Sequence, residues 1–261
     1  MSVAPRFIIW SFYVYSVLTA LGVGGATVVG ALMGFLFKNL SDRFGNMIIS
    51  FAAGIMLTAA VTGLILPSIE YGGDYGVPIA ILGILFGAVC INLSDKLVPH
   101  IGRLVSDGKI GEGSDTLHSV LLFVIAIAIH NLPEGIAAGV GFGSGDPSGA
   151  ILIASGIALH NIPEGMVIIA PMLAAGISRK KTFILALITG ISEVIGTFLG
   201  YFAVSVASAN LPFALAFAGG TMLYVISEEM IPETHSGECG FGVTYAFLCG
   251  FCAMLLLDVI M

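Results

Sequence analysis

Apolar residues occur along the chain in long runs that short polar stretches separate. A bilayer core about 30 Å thick needs about 20 apolar residues per helix, so each run predicts one membrane-spanning helix. Eight such runs are present, and the pattern therefore predicts an all-α polytopic membrane protein with eight transmembrane helices. The predicted spans are Trp10–Phe37, Phe44–Leu66, Val77–Leu93, Leu117–Phe142, Ala150–Ile177, Thr182–Ala207, Leu211–Ile231 and Phe241–Ile260.

These spans form one predicted transmembrane domain over residues 1–261. Helices one to three occupy about 8–97, helices four and five about 117–177, and helices six to eight about 181–261. The connection at about 98–116 is polar, and we interpret it as a flexible cytoplasmic segment, with weak metal collection as the alternative. Its potential metal ligands, together with one at the start of helix four, are His100, Asp107, Glu112, Asp115 and His118.

Composition supports a membrane location. Hydrophobic residues make up 57% of the 261 residues and charged residues only 10%, whereas soluble domains carry roughly a quarter charged residues. The 35 glycines agree, because helices in lipid pack closely through small residues. We expect the lipid bilayer as a partner, no nucleic-acid partner and no cofactor.

Basic residues are distributed unevenly between the two ends of the predicted helices. Of the nine Lys and Arg residues, Arg6 alone lies on one side, and the others follow helices one, three and five. Cytoplasmic loops carry an excess of Lys and Arg, so these loops are predicted to be cytoplasmic. Both termini are then external, and we expect a plasma-membrane protein. The predicted cytoplasmic residues are Lys38, Arg43, Lys96, Arg103, Lys109, Arg179, Lys180 and Lys181.

Two internal similarities relate helices that cross the membrane in opposite directions. FAAGIML at 51–57 on helix two matches FAGGTML at 217–223 on helix seven, and a proline follows each, Pro67 and Pro232. Small residues are common in any transmembrane helix, so coincidence is an alternative for this pair. An inverted 3+2+3 repeat, as in many transporters, is the predicted organisation.

The second similarity is more specific: HNLPEG at 130–135 on helix four recurs as HNIPEG at 160–165 on helix five. Positions i and i+4 share a helix face, so His130 lies above Glu134 and His160 above Glu164. If the two faces meet, two imidazoles and two carboxylates converge on one divalent cation. Mixed nitrogen and oxygen ligands suit zinc and its first-row neighbours rather than magnesium or calcium. The alternative is a buried polar network without metal.

Other polar groups at membrane depth are candidates for the same pathway. Asn131 and Asn161 are either ligands, groups that orient the ligands, or hydrogen-bond partners between helices. Glu193 on helix six is predicted to face the same cavity. Glu228 and Glu229 on helix seven form either a cytoplasmic exit station for the cation or a solvated helix end.

The paired hexamers, with Glu-Glu-x-Ile-Pro-Glu at 228–233 and external termini, resemble the Zrt/Irt-like (ZIP) metal transporters, especially their bacterial ZupT-like and GufA-like members. The resemblance covers nearly the whole chain. It implies uptake of a divalent metal into the cytoplasm, an elevator-like motion of helices one, four, five and six, and a homodimer. Zn²⁺ is the first candidate substrate, and Fe²⁺, Mn²⁺, Co²⁺ and Cd²⁺ remain alternatives because these ions share ligands.

The resemblance also implies residue roles. The transported ion would be held by His130, Glu134, His160 and Glu164, with Met56 as a further donor. An adjoining second site would be completed by Asn131, Asn161 and Glu193. Some relatives carry Asp where this chain has Asn161, and the lost negative charge leaves a second bound metal open.

An intramembrane zinc-dependent hydrolase is the main alternative function. In an HExxH hydrolase the general base directly follows the first His, whereas Asn131 and Asn161 occupy those positions here and cannot accept a proton. A proton-coupled transporter of organic anions is a weaker alternative, because two glutamates would repel the substrate and no span contains Lys or Arg to attract it. We therefore expect a transporter and no enzyme activity.

Overall fold

The computed structural model describes the chain as helices joined by short connections, with no strand among the described residues. This confirms the all-α prediction. Counted over the described residues, six helices are long and apolar enough to cross a membrane, and the two remaining long helices carry the paired hexamers. The described residues are 4–36, 41–105, 114–143, 147–174, 176–206, 208–235 and 240–260.

Eight long helical rods run through the described residues, in agreement with the eight predicted spans. We number them α1 (Ala4–Leu36), α2 (42–71), α3 (Gly76–Val105), α4 (Ser114–Gly143), α5 (Pro147–Ala174), α6 (Arg179–Val206), α7 (211–235) and α8 (Phe241–Ile260). Short 3₁₀ turns, Gly73–Tyr75 and Ser208–Asn210, precede α3 and α7.

Rods α2 and α7 each contain a π-helical segment at the corresponding place. In α2, Asp42–Thr58 is followed by the π segment Ala59–Ile65 and then Leu66–Tyr71. In α7, Leu211–Val225 is followed by the π segment Ile226–Met230 and then Ile231–His235. Pro67 and Pro232 are the second residues after these segments, and proline has no N–H to continue the α-helical hydrogen-bond ladder. The repeat predicted from the sequences at 51–57 and 217–223 is therefore also present in the backbone conformation of α2 and α7.

The helix pairings obey the inverted repeat. Exchanging α1 with α6, α2 with α7, α3 with α8 and α4 with α5 converts the α1–α5 contact into the α6–α4 contact. The same exchange converts the α2–α8 contact into the α7–α3 contact, and all four pairs are among the most extensive in the fold. This symmetry agrees with the predicted 3+2+3 organisation.

Glycines divide the rods into two tightly packed groups. We call α1, α4, α5 and α6 the site bundle, and α2, α3, α7 and α8 the frame bundle. Within each bundle, a Cβ atom added to any of several glycines would lie within 2.5 Å of a backbone oxygen on a neighbouring rod. Such contacts join Gly30 to Ile162, Gly165 to Thr27, Gly135 to Glu193, Gly139 to Thr197, Gly54 to Phe247, Gly250 to Phe51 and Gly87 to Phe217.

Between the bundles, described glycine contacts involve side chains instead. Gly63 on α2 approaches the Ile153 side chain on α5, and Gly156 on α5 approaches the side chains of Met254 and Ala59. Backbone atoms in close contact cannot move apart without shifting a whole helix, whereas side chains can change rotamer. The boundary between the bundles is therefore the more adaptable contact.

Gly250→Ala should destabilise the frame bundle, because the new Cβ would lie 1.9 Å from the Phe51 carbonyl oxygen and push α8 away from α2. Overpacking of this kind costs about 1–3 kcal/mol. Thermal unfolding of the purified protein in detergent should show a lower midpoint. Gly22→Ala is the matched control, since nothing lies within 4 Å of its added Cβ. Equal midpoints for the two variants would contradict this packing.

The structure differs from the sequence prediction at the helix ends. Rod α3 continues to Val105, beyond its predicted end at Leu93, and α4 begins at Ser114 rather than Leu117. The connection predicted at about 98–116 therefore contains helix at both ends. Hydropathy locates the part of a helix that lipid surrounds, and a helix can continue past that part into water. Within α4 and α5, the helix is not interrupted at Pro133 or Pro163.

Candidate metal centre

The paired hexamers bring together three side chains that could hold a metal ion, where α4 and α5 meet. Glu134, His160 and Glu164 each offer one ligand atom, and these atoms all lie within 4.8 Å of one another. Glu134 and His160 are 3% and 1% exposed, and Glu164 is partly buried. Ligand atoms around one zinc ion lie within about 4 Å of one another, so small side-chain shifts would complete this geometry.

The hydrogen bonds of His160 determine which ring nitrogen faces the cluster. Nδ1 lies 3.2 Å from the carbonyl oxygen of Gly156, one turn earlier on α5. A carbonyl can only accept a hydrogen bond, so Nδ1 carries the proton and donates it. Nε2 then points to the Glu134 carboxylate, 2.9 Å from Oε2. Two acceptors at this distance need a proton or a metal cation between them, and a backbone bond that orients the imidazole is common at metal sites.

A cavity of about 80 Å³ adjoins the cluster and has room for a cation with more than one water, since one water occupies about 30 Å³ in the liquid. Met56, a thioether donor that is 1% exposed overall, lines it from the frame bundle. The lining beyond the cluster lies toward the helix ends that carry Arg43 and Arg179–Lys181. These lining residues are Ile49, Ala52, Ile127, Pro163, Val225, Glu229, Met230 and Glu233.

The donor set fits a divalent transition metal. Two carboxylates supply two negative charges, which offset the charge of the ion in a largely buried site. One imidazole and one nearby thioether add softer ligands, which favour zinc and its neighbours over magnesium or calcium.

Glu193 occupies a separate polar network beside the cluster. Its side chain is fully buried, and Oε1 accepts hydrogen bonds from Thr27 Oγ1 at 2.5 Å and Asn131 Nδ2 at 2.6 Å. Oε2 accepts from Asn161 Nδ2 at 2.5 Å. These four residues come from α1, α4, α5 and α6, so one carboxylate links all four rods of the site bundle.

The same network orients the two asparagines. Because their Nδ2 atoms donate to Glu193, their amide oxygens point elsewhere, and both Oδ1 atoms are buried without a hydrogen-bond partner among the described residues. Buried amide oxygens normally have a partner, and a bound cation would supply one. Glu193 does not join the cluster of Glu134, His160 and Glu164 among the described residues. That Asn131, Asn161 and Glu193 ligate metal stays a prediction.

The remaining predicted site residues fall in different places. The side chain of His130 lies outside the described residues, as do those of the predicted metal-collecting segment around 98–116. Glu229 lines the cavity, whereas Glu228 lines a different crevice on the other face of α7. Three residues were missed as site candidates: Thr27, Met230 and Glu233. The sequence could have indicated Glu233, because this residue lies four positions after Glu229 and so shares its helix face.

Comparisons with known proteins agree with this geometry. The family model described as "Zip: ZIP Zinc transporter" matches residues 105–258, more than half of the chain. The zinc transporter GufA of Myxococcus xanthus is 38% identical over 93% of this chain and 97% of its own length. The zinc transporter ZIP11 of Xenopus tropicalis is 32% identical over 94% and 96%. The zinc transporter ZupT of Chlorobaculum parvum is 34% identical over 80% and 83%.

Proposed function

This chain belongs to the ZIP zinc transporter family, and we propose from that premise that it carries Zn²⁺ into the cytoplasm through the cluster of Glu134, His160 and Glu164. It is a divalent metal transporter and not an enzyme, which excludes the intramembrane hydrolase considered from the sequence. The observation that carries the proposal is the approach of the His160 Nε2 atom to the Glu134 carboxylate, with Glu164 within 4.8 Å.

Further ligands would come from residues beside the cluster. Met56 lines the same cavity, and His130 lies one turn before Glu134 on α4. The unpartnered amide oxygens of Asn131 and Asn161 support a role for both residues in binding a cation. In this arrangement Glu193 would hold the amides in place, and it would ligate a second ion only if that ion displaced its three donors.

The position of the cavity and the positive-inside rule support the proposed direction of transport. The cavity extends from the cluster toward the rod ends near Arg43 and Arg179–Lys181, which the rule assigns to the cytoplasm. Glu229 and Glu233 lie along this route and would receive the ion as it leaves. On the opposite side of the cluster, Gly63 and Ile153 bring the two bundles into contact. This arrangement is the one expected for a transporter open to the cytoplasm.

Movement of the site bundle against the frame bundle would expose the cluster to the other side. The close backbone contacts and the Glu193 network keep the site bundle together, while side chains line its boundary with the frame. An elevator-like motion needs this combination of rigid bundles and an adaptable boundary. We also propose a homodimer in the plasma membrane, with both termini external.

Reconstitution into proteoliposomes tests the proposed substrate and direction. Uptake of Zn²⁺ should exceed that of an empty vesicle, and unlabelled Fe²⁺, Mn²⁺, Co²⁺ and Cd²⁺ should be added in turn as competitors. Protein orientation can be measured by labelling a cysteine placed at the external terminus. Flux of another metal with no Zn²⁺ flux would overturn the assignment of substrate but not that of the family.

Asn161→Asp should allow a second Zn²⁺ to bind per chain. The substitution supplies a carboxylate but removes the Nδ2 donor 2.5 Å from Glu193 Oε2, so two carboxylates face each other without metal. A divalent cation between them would relieve this repulsion. Isothermal titration calorimetry should show the added binding event, and the metal-free variant should unfold at a lower temperature than the parent. Unchanged stoichiometry together with unchanged stability would contradict the prediction.

A further inference from the structure

A crevice separate from the metal cavity lies between α2, α3 and α7 of the frame bundle. Its volume is about 400 Å³, within the range of roughly 300–1,000 Å³ that is typical of ligand pockets. Most of its lining is apolar: Leu57 on α2, Ile84 and Ala88 on α3, and Gly220, Leu223, Ile226 and Ile231 on α7. An acyl chain would suit this part.

Polar groups gather at one end of the crevice. Tyr224, Ser227 and Glu228 line it on α7, and the Tyr224 hydroxyl accepts a hydrogen bond of 2.8 Å from Asn92 on α3. Within the part of the chain that the structure describes, no side chain forms an ion pair with the Glu228 carboxylate. Consecutive residues on a helix point in different directions, and the next carboxylate, that of Glu229, lines the metal cavity instead.

The register of α3 and α7 adds a positive charge at the same level. These rods run parallel, and Asn92 and Tyr224 are in contact. Lys96 follows Asn92 by four residues and Glu228 follows Tyr224 by four, so both lie one turn further toward the same helix ends. Lys96 is exposed there. The polar end of the crevice therefore presents a carboxylate and hydroxyl groups, with an ammonium group on the adjacent rod.

We propose that this crevice binds an aminophospholipid of the cytoplasmic leaflet, with its primary ammonium on Glu228 and its phosphate toward Lys96. One acyl chain lies along Leu57, Ile84 and Leu223. The crevice borders the apolar outer face of α3, where Ile81, Leu85 and Val89 are more than half exposed, so a lipid can enter from the bilayer. A primary ammonium donates hydrogen bonds to a carboxylate and a hydroxyl, whereas the quaternary ammonium of phosphatidylcholine cannot.

Native mass spectrometry of the detergent-solubilised full chain tests the proposal with phosphatidylethanolamine, phosphatidylcholine and phosphatidylglycerol of identical acyl chains. The parent should bind phosphatidylethanolamine about tenfold more tightly than phosphatidylcholine, because one set of charge-assisted hydrogen bonds is lost with the latter. Glu228→Gln should remove this preference. Glu70→Gln, which neutralises another exposed carboxylate on the frame bundle, should keep it.

A second variant separates headgroup recognition from the cavity itself. Ala88→Trp would fill the apolar part and should weaken binding of all three lipids. Equal binding of phosphatidylethanolamine and phosphatidylcholine by the parent would overturn the proposal, as would tightest binding of phosphatidylglycerol. Undiminished phosphatidylethanolamine preference in Glu228→Gln would also overturn it. If a second copy of the chain covers the crevice, the spectra should show a dimer without bound lipid, and this result would also overturn the proposal.

Discussion

Zn²⁺ flux should fall by at least about 100-fold in Glu134→Gln, because the substitution removes a ligand charge and leaves the side-chain volume almost unchanged. Replacing a residue that merely supports a metal ligand costs about 10–100-fold in affinity, and loss of a direct ligand should cost at least as much. Glu134 is 3% exposed and lies 2.9 Å from His160 Nε2, and a neutral water or amide in its place would not replace the lost negative charge. Uptake of ⁶⁵Zn²⁺ into proteoliposomes measures the effect.

Two controls distinguish loss of a ligand from loss of the fold. Glu70→Gln changes an exposed carboxylate far from the cluster and should transport at the parental rate. Glu134→Gln should elute from size exclusion as the parent does, since glutamine can still bond to the imidazole. Flux within twofold of the parent in a folded Glu134→Gln variant would show that the cluster is not on the transport route.

Much of this architecture could be predicted from the sequence, because lipid imposes a length and an apolar character on every span. The hexamers were informative for a related reason. An ionisable group inside a span is costly, so repeated His and Glu residues at i and i+4 indicate a shared ligand. The meeting of Glu134, His160 and Glu164 follows from helix periodicity once α4 and α5 are adjacent.

The bonding of the polar residues could not be predicted in the same way. Glu193 was expected in the metal cavity, but whether its oxygens meet a cation or three N–H and O–H donors depends on how α1, α4 and α5 pack around α6. Glu228 and Glu229 were interpreted as either one exit station or a solvated helix end, and they line different spaces. Consecutive helical residues face different directions, but which space each side chain meets depends on how α7 packs against α2 and α3, and the extra residue of a π segment, which has no regular sequence signal, shifts that register.

A disulfide across the boundary between the two bundles should stop transport. In a Gly63→Cys/Ile153→Cys variant, the two Cβ atoms would lie about 4.0 Å apart, which suits a disulfide. The bond would join α2 of the frame bundle to α5 of the site bundle on the side of the cluster opposite the cavity. If the site bundle moves during each cycle, oxidation should reduce Zn²⁺ flux to background, and dithiothreitol should restore it. Cys90, Cys239, Cys249 and Cys252 are first replaced by serine.

A matched pair within the site bundle serves as the control. In Gly141→Cys/Ala150→Cys, the Cβ atoms would lie about 3.9 Å apart, and the bond would join α4 to α5. Gly141 and Gly63 both contact Ile153, so the two disulfides would lie at a similar depth. This second bond should leave transport unchanged, because α4 and α5 move together. Full flux with the Gly63–Ile153 disulfide formed would exclude relative motion of the bundles, whereas loss of flux in both pairs would show that α4 and α5 must also separate.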